Sequence, residues 1–182
     1  MDENQARQLG EETRVTNILL TGFMGAGKTT VGRKLAKRLG FMFIDTDYEI
    51  EEEQGCGVSE IFKYGGEECF RDMETRLLVK LAETQKTIIA TGGGMILREQ
   101  NRKLMKNVGE LVYLRVTPEE LFLRLRQDRS RPLLKNKNPE MVVEEMLKER
   151  GPLYERAKYI VDTGTFSPQQ IASEIIRQIY KK

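Results

Sequence analysis

The sequence predicts an α/β fold in which a parallel sheet is covered by helices on both faces. Short β-branched runs alternate along the chain with amphipathic stretches, the pattern of strands joined by helical crossovers. A glycine-rich segment between the first strand and the first helix supports the same fold class. Because ligands of such folds bind beyond the carboxyl ends of the strands, we expect a functional site there.

The predicted elements fill one domain, residues 15–182. Strands are predicted at 15–21, 41–45, 87–91, 110–116 and 159–163, where β-branched and apolar residues predominate. Helices are predicted at 28–39, within 48–55 and 65–85, near 97–107, 118–128 and 139–150, and after Ser167-Pro168. Residues 1–14 are polar and aperiodic and predict a flexible leader. Residues 129–140 are basic, contain two prolines and predict a mobile loop.

The composition excludes several classes of protein. The 182 residues are 39% hydrophobic and 32% charged, as in a soluble globular enzyme, and the net charge of +2 is too small to indicate binding to nucleic acid or a membrane surface. The chain has no histidine, which excludes His-dependent triads and most zinc sites. Cys56 and Cys69 have no metal-ligand spacing; one bridge between them is the alternative to the free thiols that we expect in the cytoplasm.

The segment GFMGAGKT, residues 22–29, fits the phosphate-binding motif G-x-x-x-x-G-K-[ST]. It has the required context, because a predicted strand precedes it and a predicted helix follows it, and this disfavours a chance glycine-rich turn. Lys28 is expected to reach the β- and γ-phosphates and the Thr29 hydroxyl to ligate Mg²⁺. The predicted nucleotide-binding residues here are Gly25, Ala26, Gly27, Lys28, Thr29 and Thr30.

Two carboxylates, Asp45 and Asp47, follow the second strand in the segment FIDTD. On an extended chain, residues two apart lie on one face, so these carboxylates are expected side by side. They would repel each other, and we therefore expect a cation or hydrogen-bond donor between them.

Three further features indicate an anionic, hydroxylated acceptor. Arg71 and Glu74 are spaced to share a helix face, and Arg150 precedes a Gly-Pro pair predicted to break its helix. Gly92–Gly94 follow the third strand, with backbone N–H groups predicted to be available to a ligand. The fork of an arginine matches a carboxylate. Each feature also has a plain structural interpretation, as a surface pair, a helix-end cap or a tight turn, but their combination beside a phosphate loop favours function.

Other interpretations of the motifs are less well supported. A GTPase switch would need Asn-Lys-x-Asp, whereas residues 136–139 read Asn-Lys-Asn-Pro, and there is no Asp-x-x-Gly. The acidic segment 49–55 is better explained as a solvated helix face than as a metal site. The basic segment 123–131 lacks the interleaved aromatic residues of a nucleic-acid patch and fits a lid that faces phosphate.

The order and spacing of six motifs resemble the shikimate kinase family. The motifs are GFMGAGKTT, FIDTD, GEECFRDMET, ATGGG, RPLL and ERGPLY. The resemblance implies a three-layer P-loop kinase fold with a five-stranded parallel sheet of order 2-3-1-4-5. It also implies a substrate-binding helical region near 46–75 and a mobile lid near 127–140. The implied reaction, on the route to chorismate and the aromatic amino acids, transfers the γ-phosphoryl group of MgATP to the 3-hydroxyl of shikimate.

The resemblance also implies residue roles. Asp47 is the carboxylate that binds the shikimate hydroxyls and the candidate to take the reacting proton, although it could act only by positioning. Asp45 faces the magnesium through water, with Thr29 as direct ligand. The shikimate carboxylate is held by Arg71 and Arg150, and the backbone of Gly92, Gly93 and Gly94 contacts the substrate. In a second group of roles, Arg131 is the catalytic lid arginine that reaches the phosphates, and Arg124 stacks on adenine.

Two segments depart from the family pattern, and alternative functions remain to be considered. The segment GTFSP, residues 164–168, offers no side chain for adenine, so backbone, Arg124 and apolar contacts are expected to hold it. The leader has no counterpart. We expect a cytoplasmic monomer with ATP and shikimate as its small-molecule partners, bound to neither nucleic acid nor membrane. A gluconate or nucleoside monophosphate kinase, or a regulatory nucleotide-binding module, is the alternative.

Overall fold

A five-stranded parallel sheet organises the chain. The computed structural model describes residues 17–126 and 139–180. Within them the strands are β1 (Asn17–Thr21), β2 (Met42–Asp45), β3 (Thr87–Ala90), β4 (Glu110–Arg115) and β5 (Tyr159–Asp162). Their order is β2-β3-β1-β4-β5 and every pairing is parallel. The predicted fold class and strand order are therefore confirmed.

Helices connect the strands. They are α1 (Lys28–Leu39), α2 (Thr46–Gln54), α3 (Val58–Leu81), α4 (Glu99–Val108), α5 (Pro118–Arg126), α6 (Pro139–Tyr154) and α7 (Pro168–Tyr180), with a 3₁₀ turn at Met95–Leu97. These bounds agree with the predicted elements to within a few residues, except that α3 begins seven residues before the predicted 65–85 helix and α6 continues four residues beyond position 150. The predicted leader, Arg131 and nearly all of the predicted lid lie outside the described residues.

The central strand explains why the sheet forms in this order. Ile18, Leu19 and Leu20 of β1 are fully buried, because β1 lies between β3 and β4 and is covered on both faces. A strand buried on both faces reads as a continuous apolar run, as this one does. The parallel register aligns Leu20 with Ala90 and Ala90 with Asp45, so the carboxyl ends of β1, β2 and β3 meet at one edge of the sheet.

Helix α3 is interrupted at Gly66, which adopts φ 76° and ψ 175°. Glycine adopts such a conformation without the steric cost that other residues meet. The interruption separates an exposed first part, which includes Tyr64, from a second part that carries Arg71 and Glu74 into the protein. The two parts of this long helix can therefore have different orientations and different roles.

The prediction that Gly151-Pro152 would end the helix behind Arg150 was wrong. Helix α6 continues to Tyr154 with Pro152 inside it. Proline has a helical φ and removes only one backbone donor, and the N–H of Glu155 still bonds to the carbonyl of Gly151, 3.0 Å away. The full burial of Tyr154 provides a tertiary contact that holds this last turn in place.

Two observations concern the cellular setting. Cys56 and Cys69 are both free thiols, as predicted. In the part of the chain that the structure describes, no helix has the length and apolar composition needed to cross a membrane.

Candidate active site

A cavity of about 400 Å³ lies where β1, β2 and β3 end. Its lining combines the phosphate loop with both predicted carboxylates: Met24, Gly25, Gly27, Lys28, Thr29, Thr30, Asp45, Asp47, Thr91 and Gly93. Ala26 is buried, and its N–H donates to the carbonyl of Phe23 at 3.1 Å; its contact with nucleotide stays a prediction. Ala26 therefore shapes the loop from within.

The phosphate loop is held together by Lys28. Its ammonium donates to the carbonyl oxygens of Gly22 at 2.8 Å and Phe23 at 3.0 Å, so the lysine closes the loop on itself. Gly25 and Gly27 have φ values of 81° and 91°, in the left-handed region that favours glycine. This conformation lets the backbone curve round a phosphate at the N-terminus of α1, where the helix dipole favours negative charge.

The carboxylate pair is arranged by a helix start, and the prediction from strand alternation was wrong. The strand ends at Asp45 and α2 begins at Thr46, so Asp47 lies in the first turn of a helix. Asp45 caps that helix, because its Oδ1 accepts a hydrogen bond from the backbone N–H of Asp47 at 3.2 Å. Its Oδ2 accepts another from the Thr29 hydroxyl at 2.6 Å. The expected hydrogen-bond donors are therefore a backbone N–H and a hydroxyl.

Asp47 and Glu74 place two buried oxygens beside Gly92. Asp47 Oδ1 and Glu74 Oε1 have no hydrogen-bond partner among the described residues. A Cβ added to Gly92 would lie 2.4 Å from the first oxygen and 3.0 Å from the second. Burial, followed by the negative charge of Asp45, raises the pKa of Asp47. Asp47 also lines the cavity, so its carboxylate is a candidate acceptor for a hydroxyl there.

The glycine run contributes mainly by allowing close approach, which corrects the prediction for Gly92. Its N–H does not face a ligand but donates to the Thr46 hydroxyl at 2.9 Å. A Cβ on Gly94 would lie 2.3 to 2.6 Å from the guanidinium atoms of Arg71, so only glycine lets that group pack here. Gly93 alone of the three lines the cavity.

Arg71 and Glu74 form a buried ion pair. Arg71 is 7% exposed and Glu74 is 0% exposed, so the alternative of a weak surface pair is wrong. Arg71 Nη1 donates to Glu74 Oε2 at 2.8 Å. Burial raises the pKa of Glu74 to about 7, against the opposing hydrogen bond and positive charge of Arg71. Holding an arginine in the interior requires this partner.

Arg150 lies beside a buried tyrosine that the sequence analysis did not single out. Tyr154 stacks on Tyr113 at a centroid distance of 5.2 Å, and its hydroxyl donates to the carbonyl of Gly93. Burial raises the pKa of Tyr154 to about 12, opposed by the positive charges of Arg150 and Arg71. The Nε of Arg150 is buried without a hydrogen-bond partner among the described residues. Tyr154 belongs to the ERGPLY motif, and that motif was the sequence signal from which this residue could have been identified.

Arg124 bonds to the segment that follows β5. Its Nη2 donates to the carbonyl of Gly164 at 2.7 Å and its Nη1 to the Thr163 hydroxyl at 3.5 Å. The arginine thus connects α5 to the loop that follows β5, where the sequence offered no adenine-binding side chain. It does not line the cavity described above.

The oxygens of Thr29 and Asp45 suit a magnesium ion. Mg²⁺ prefers oxygen ligands, keeps several waters and is usually bound through one or two protein groups together with substrate phosphates. Among residues 17–126 and 139–180 there is no cluster of three or more His, Cys, Asp or Glu side chains suited to a metal. A nucleotide-dependent site fits this donor set better than a protein-only site.

The fold and the site define a P-loop phosphotransferase for a small acceptor. The family model described as shikimate kinase matches residues 24–180. A shikimate kinase of Thermodesulfovibrio yellowstonii is 44% identical over 162 residues, which are 89% of this chain and 94% of that relative. The chain therefore belongs to the shikimate kinase family, and the protein is an enzyme of the kinase class.

Solved structures agree with this assignment. A shikimate kinase from Acinetobacter baumannii in complex with shikimate superposes with a TM-score of 0.87 at 39% identity, over 98% of this chain and 97% of that one. A shikimate kinase from Bacteroides thetaiotaomicron gives a TM-score of 0.82 at 34% identity, over 92% of this chain and 99% of that one. The family decides against the GTPase, gluconate kinase and nucleoside monophosphate kinase alternatives.

Glu74 should make stability depend on pH. Its pKa is 4.5 when unfolded and about 7 when folded, so the folded protein binds the proton more tightly. The free energy of unfolding should therefore fall as pH rises from about 4.5 to about 7, by up to about 3 kcal/mol from this group. Glu74→Gln, which carries no titratable group, should show a shallower fall in Tm between pH 5 and 7.

Glu68→Gln is the matched control, because Glu68 lies on the same helix but pairs with Arg98 at the surface. It should retain the wild-type slope. Equal slopes for Glu74→Gln and wild type would contradict the pKa shift of Glu74.

Proposed function

We propose that the protein transfers the γ-phosphoryl group of MgATP to the 3-hydroxyl of shikimate, giving shikimate 3-phosphate and ADP. The observation that carries this proposal is the buried Arg71, whose positive charge acts on Asp47 and, together with that of Arg150, on Tyr154. Two arginines suit a carboxylate, and a carboxylate beside the phosphate loop suits a hydroxyl. The acceptor should therefore carry both groups.

The phosphate loop should bind ATP through its backbone, the start of α1 and Lys28. In the structure the lysine bonds to the carbonyls of Gly22 and Phe23, so its ammonium already lies within the loop. We expect it to turn toward the β- and γ-phosphates when nucleotide enters. There it would neutralise charge that develops on the transferred group.

Magnesium would be held by the Thr29 hydroxyl, with Asp45 reaching it through water. When bound, the ion would offset the negative charge of the phosphates. The hydrogen bond that now joins Thr29 to Asp45 keeps both oxygens at the cavity edge. The protein's own contribution would be to hold the Thr29 and Asp45 oxygens close together at the cavity edge.

The acceptor would be oriented from two ends. Arg71 and Arg150 would bind the shikimate carboxylate, while the carboxylate of Asp47, which lines the cavity, would accept a hydrogen bond from the reacting hydroxyl. Because burial and Asp45 raise the pKa of Asp47, its carboxylate is a better proton acceptor than an exposed aspartate. Positioning supplies much of the rate in phosphoryl transfer. Asp47 would position the acceptor hydroxyl even if the hydroxyl proton leaves only late in the transfer.

The net charge and the composition bear on the location, the oligomeric state and the partners of the enzyme. We infer a cytoplasmic monomer whose partners are ATP and the acceptor, without nucleic acid or membrane. The small net charge and ordinary composition support this inference.

Release of ADP in the presence of different acceptors tests the proposed function directly. Purified protein with MgATP should release ADP when shikimate is added, and should release none with gluconate or AMP. The measurement is a coupled assay of ADP formation with each acceptor in turn. ADP release that does not depend on shikimate, or that appears only with another acceptor, would overturn the substrate assignment.

Arg150→Ala should weaken acceptor binding. A hydrogen bond to a charged group is worth roughly 1.5–3 kcal/mol, so the KM for shikimate should rise about tenfold or more while the KM for ATP changes little. Steady-state kinetics in both substrates measures the two constants. Arg156→Ala, an exposed arginine that follows the same helix, is the control and should leave both unchanged. A selective loss of ATP binding in Arg150→Ala would contradict the assignment.

Asp47→Asn and Asp45→Asn should separate the two carboxylates. Asp47→Asn removes the proton acceptor and the charge beside the reacting hydroxyl, so kcat should fall about 10²-fold or more. Asp45→Asn should instead raise the Mg²⁺ concentration needed for half-maximal rate. Titrations of the rate with Mg²⁺ for both variants decide this. The reverse pattern would mean that the two roles are exchanged.

A further inference from the structure

A second carboxylate, Glu67, occupies the outer edge of Arg71. Its Oε1 accepts from Arg71 Nη2 at 2.8 Å and from Nε at 3.3 Å. These two donors form one of the edges through which an arginine binds a carboxylate in parallel hydrogen bonds. In the structure, a side chain of the protein itself therefore uses donors that an acceptor carboxylate could use.

The two carboxylate partners of Arg71 differ in their surroundings. Glu74 is fully buried and bonds to Nη1, whereas the Glu67 side chain is 58% exposed. Exposed ion pairs contribute little, because water and salt screen them and ordering the side chains costs entropy. Glu74 is thus the fixed partner, and Glu67 is the one that can be replaced at small cost.

The chain around Glu67 allows it to leave. Glu67 follows Gly66, the residue that interrupts α3. The backbone of Gly66 has φ 76°, and a Cβ added to Gly66 would meet no atom within 4 Å. Arg71 itself is held from behind by Glu74 and packs against Gly94. Glu67 can therefore move through its own rotamers and the Gly66 backbone while the guanidinium stays in place.

We propose that Glu67 is a built-in competitor for the acceptor carboxylate and thereby a specificity-determining residue. It neutralises Arg71 in the free enzyme, and the carboxylate of the acceptor displaces it on binding. A neutral polyol cannot make this exchange, so Glu67 stays on Arg71 and such an acceptor is disfavoured. This inference rests on the proposed function, because it takes shikimate as the acceptor.

Two variants separate competition from a general charge effect. Glu67→Gln removes the charge, whereas Glu67→Asp keeps it on a side chain one methylene shorter that reaches Arg71 less well. Displacement predicts that both variants lower the KM and the Kd for shikimate two- to fivefold and leave the KM for ATP unchanged. A long-range charge effect would tighten shikimate binding in Glu67→Gln alone, because Glu67→Asp keeps the negative charge. Glu68→Gln makes the same charge change one residue away, where Glu68 pairs with Arg98, and should leave shikimate binding unchanged.

Calorimetric titrations distinguish failure of the Glu67 inference from failure of the proposed function. The ligands are shikimate and cyclohexanecarboxylate, which lacks the hydroxyls. Tighter binding of either carboxylate by both Glu67 variants supports the inference. Unchanged or weaker binding in both variants overturns it, as does tighter binding in Glu67→Gln alone. Wild-type protein that binds cyclohexanecarboxylate but does not phosphorylate shikimate would overturn the proposed function, while the Glu67 comparison would still decide the inference.

Discussion

The buried Arg71–Glu74 ion pair is the interaction on which the rest of the site depends. An arginine in the interior is costly unless its charge and its donors are matched. Here the buried Glu74 accepts from Nη1, and Glu67 accepts from Nη2 and Nε. The neighbouring backbone must then leave room, which explains why Gly92 and Gly94 lie against Glu74 and Arg71. The Arg71 guanidinium favours glycine at position 94, whereas Asp47 and then Glu74 favour glycine at position 92.

In the proposed function, the site divides into a nucleotide half and an acceptor half. The phosphate loop and Thr29 belong to the first, and Arg71 with Arg150 belongs to the second. The Asp45–Asp47 turn joins them, because Asp45 bonds to Thr29 while Asp47 packs against Gly92. A phosphoryl group that passes between the halves would cross this turn, where a short helix begins.

Family membership and local physics make different contributions to this account. The comparisons place the chain in the shikimate kinase family at 44% identity to one relative, which establishes the class of enzyme. They do not explain why Gly92 cannot carry a side chain, why the pKa of Tyr154 is raised, or why Arg71 already holds a second carboxylate. Those properties follow from burial, close approach and hydrogen bonding in this chain.

The sequence by itself determined the strands, the helices and the phosphate loop, because periodicity and glycine spacing are local properties of the chain. It also placed Asp47, Arg71 and Arg150 in the right region through motifs at strand and helix ends. Only the tertiary structure decided that Arg71 is buried and that the N–H of Gly92 donates to the Thr46 hydroxyl. Burial and partner choice depend on segments far apart in the sequence, which no local pattern records.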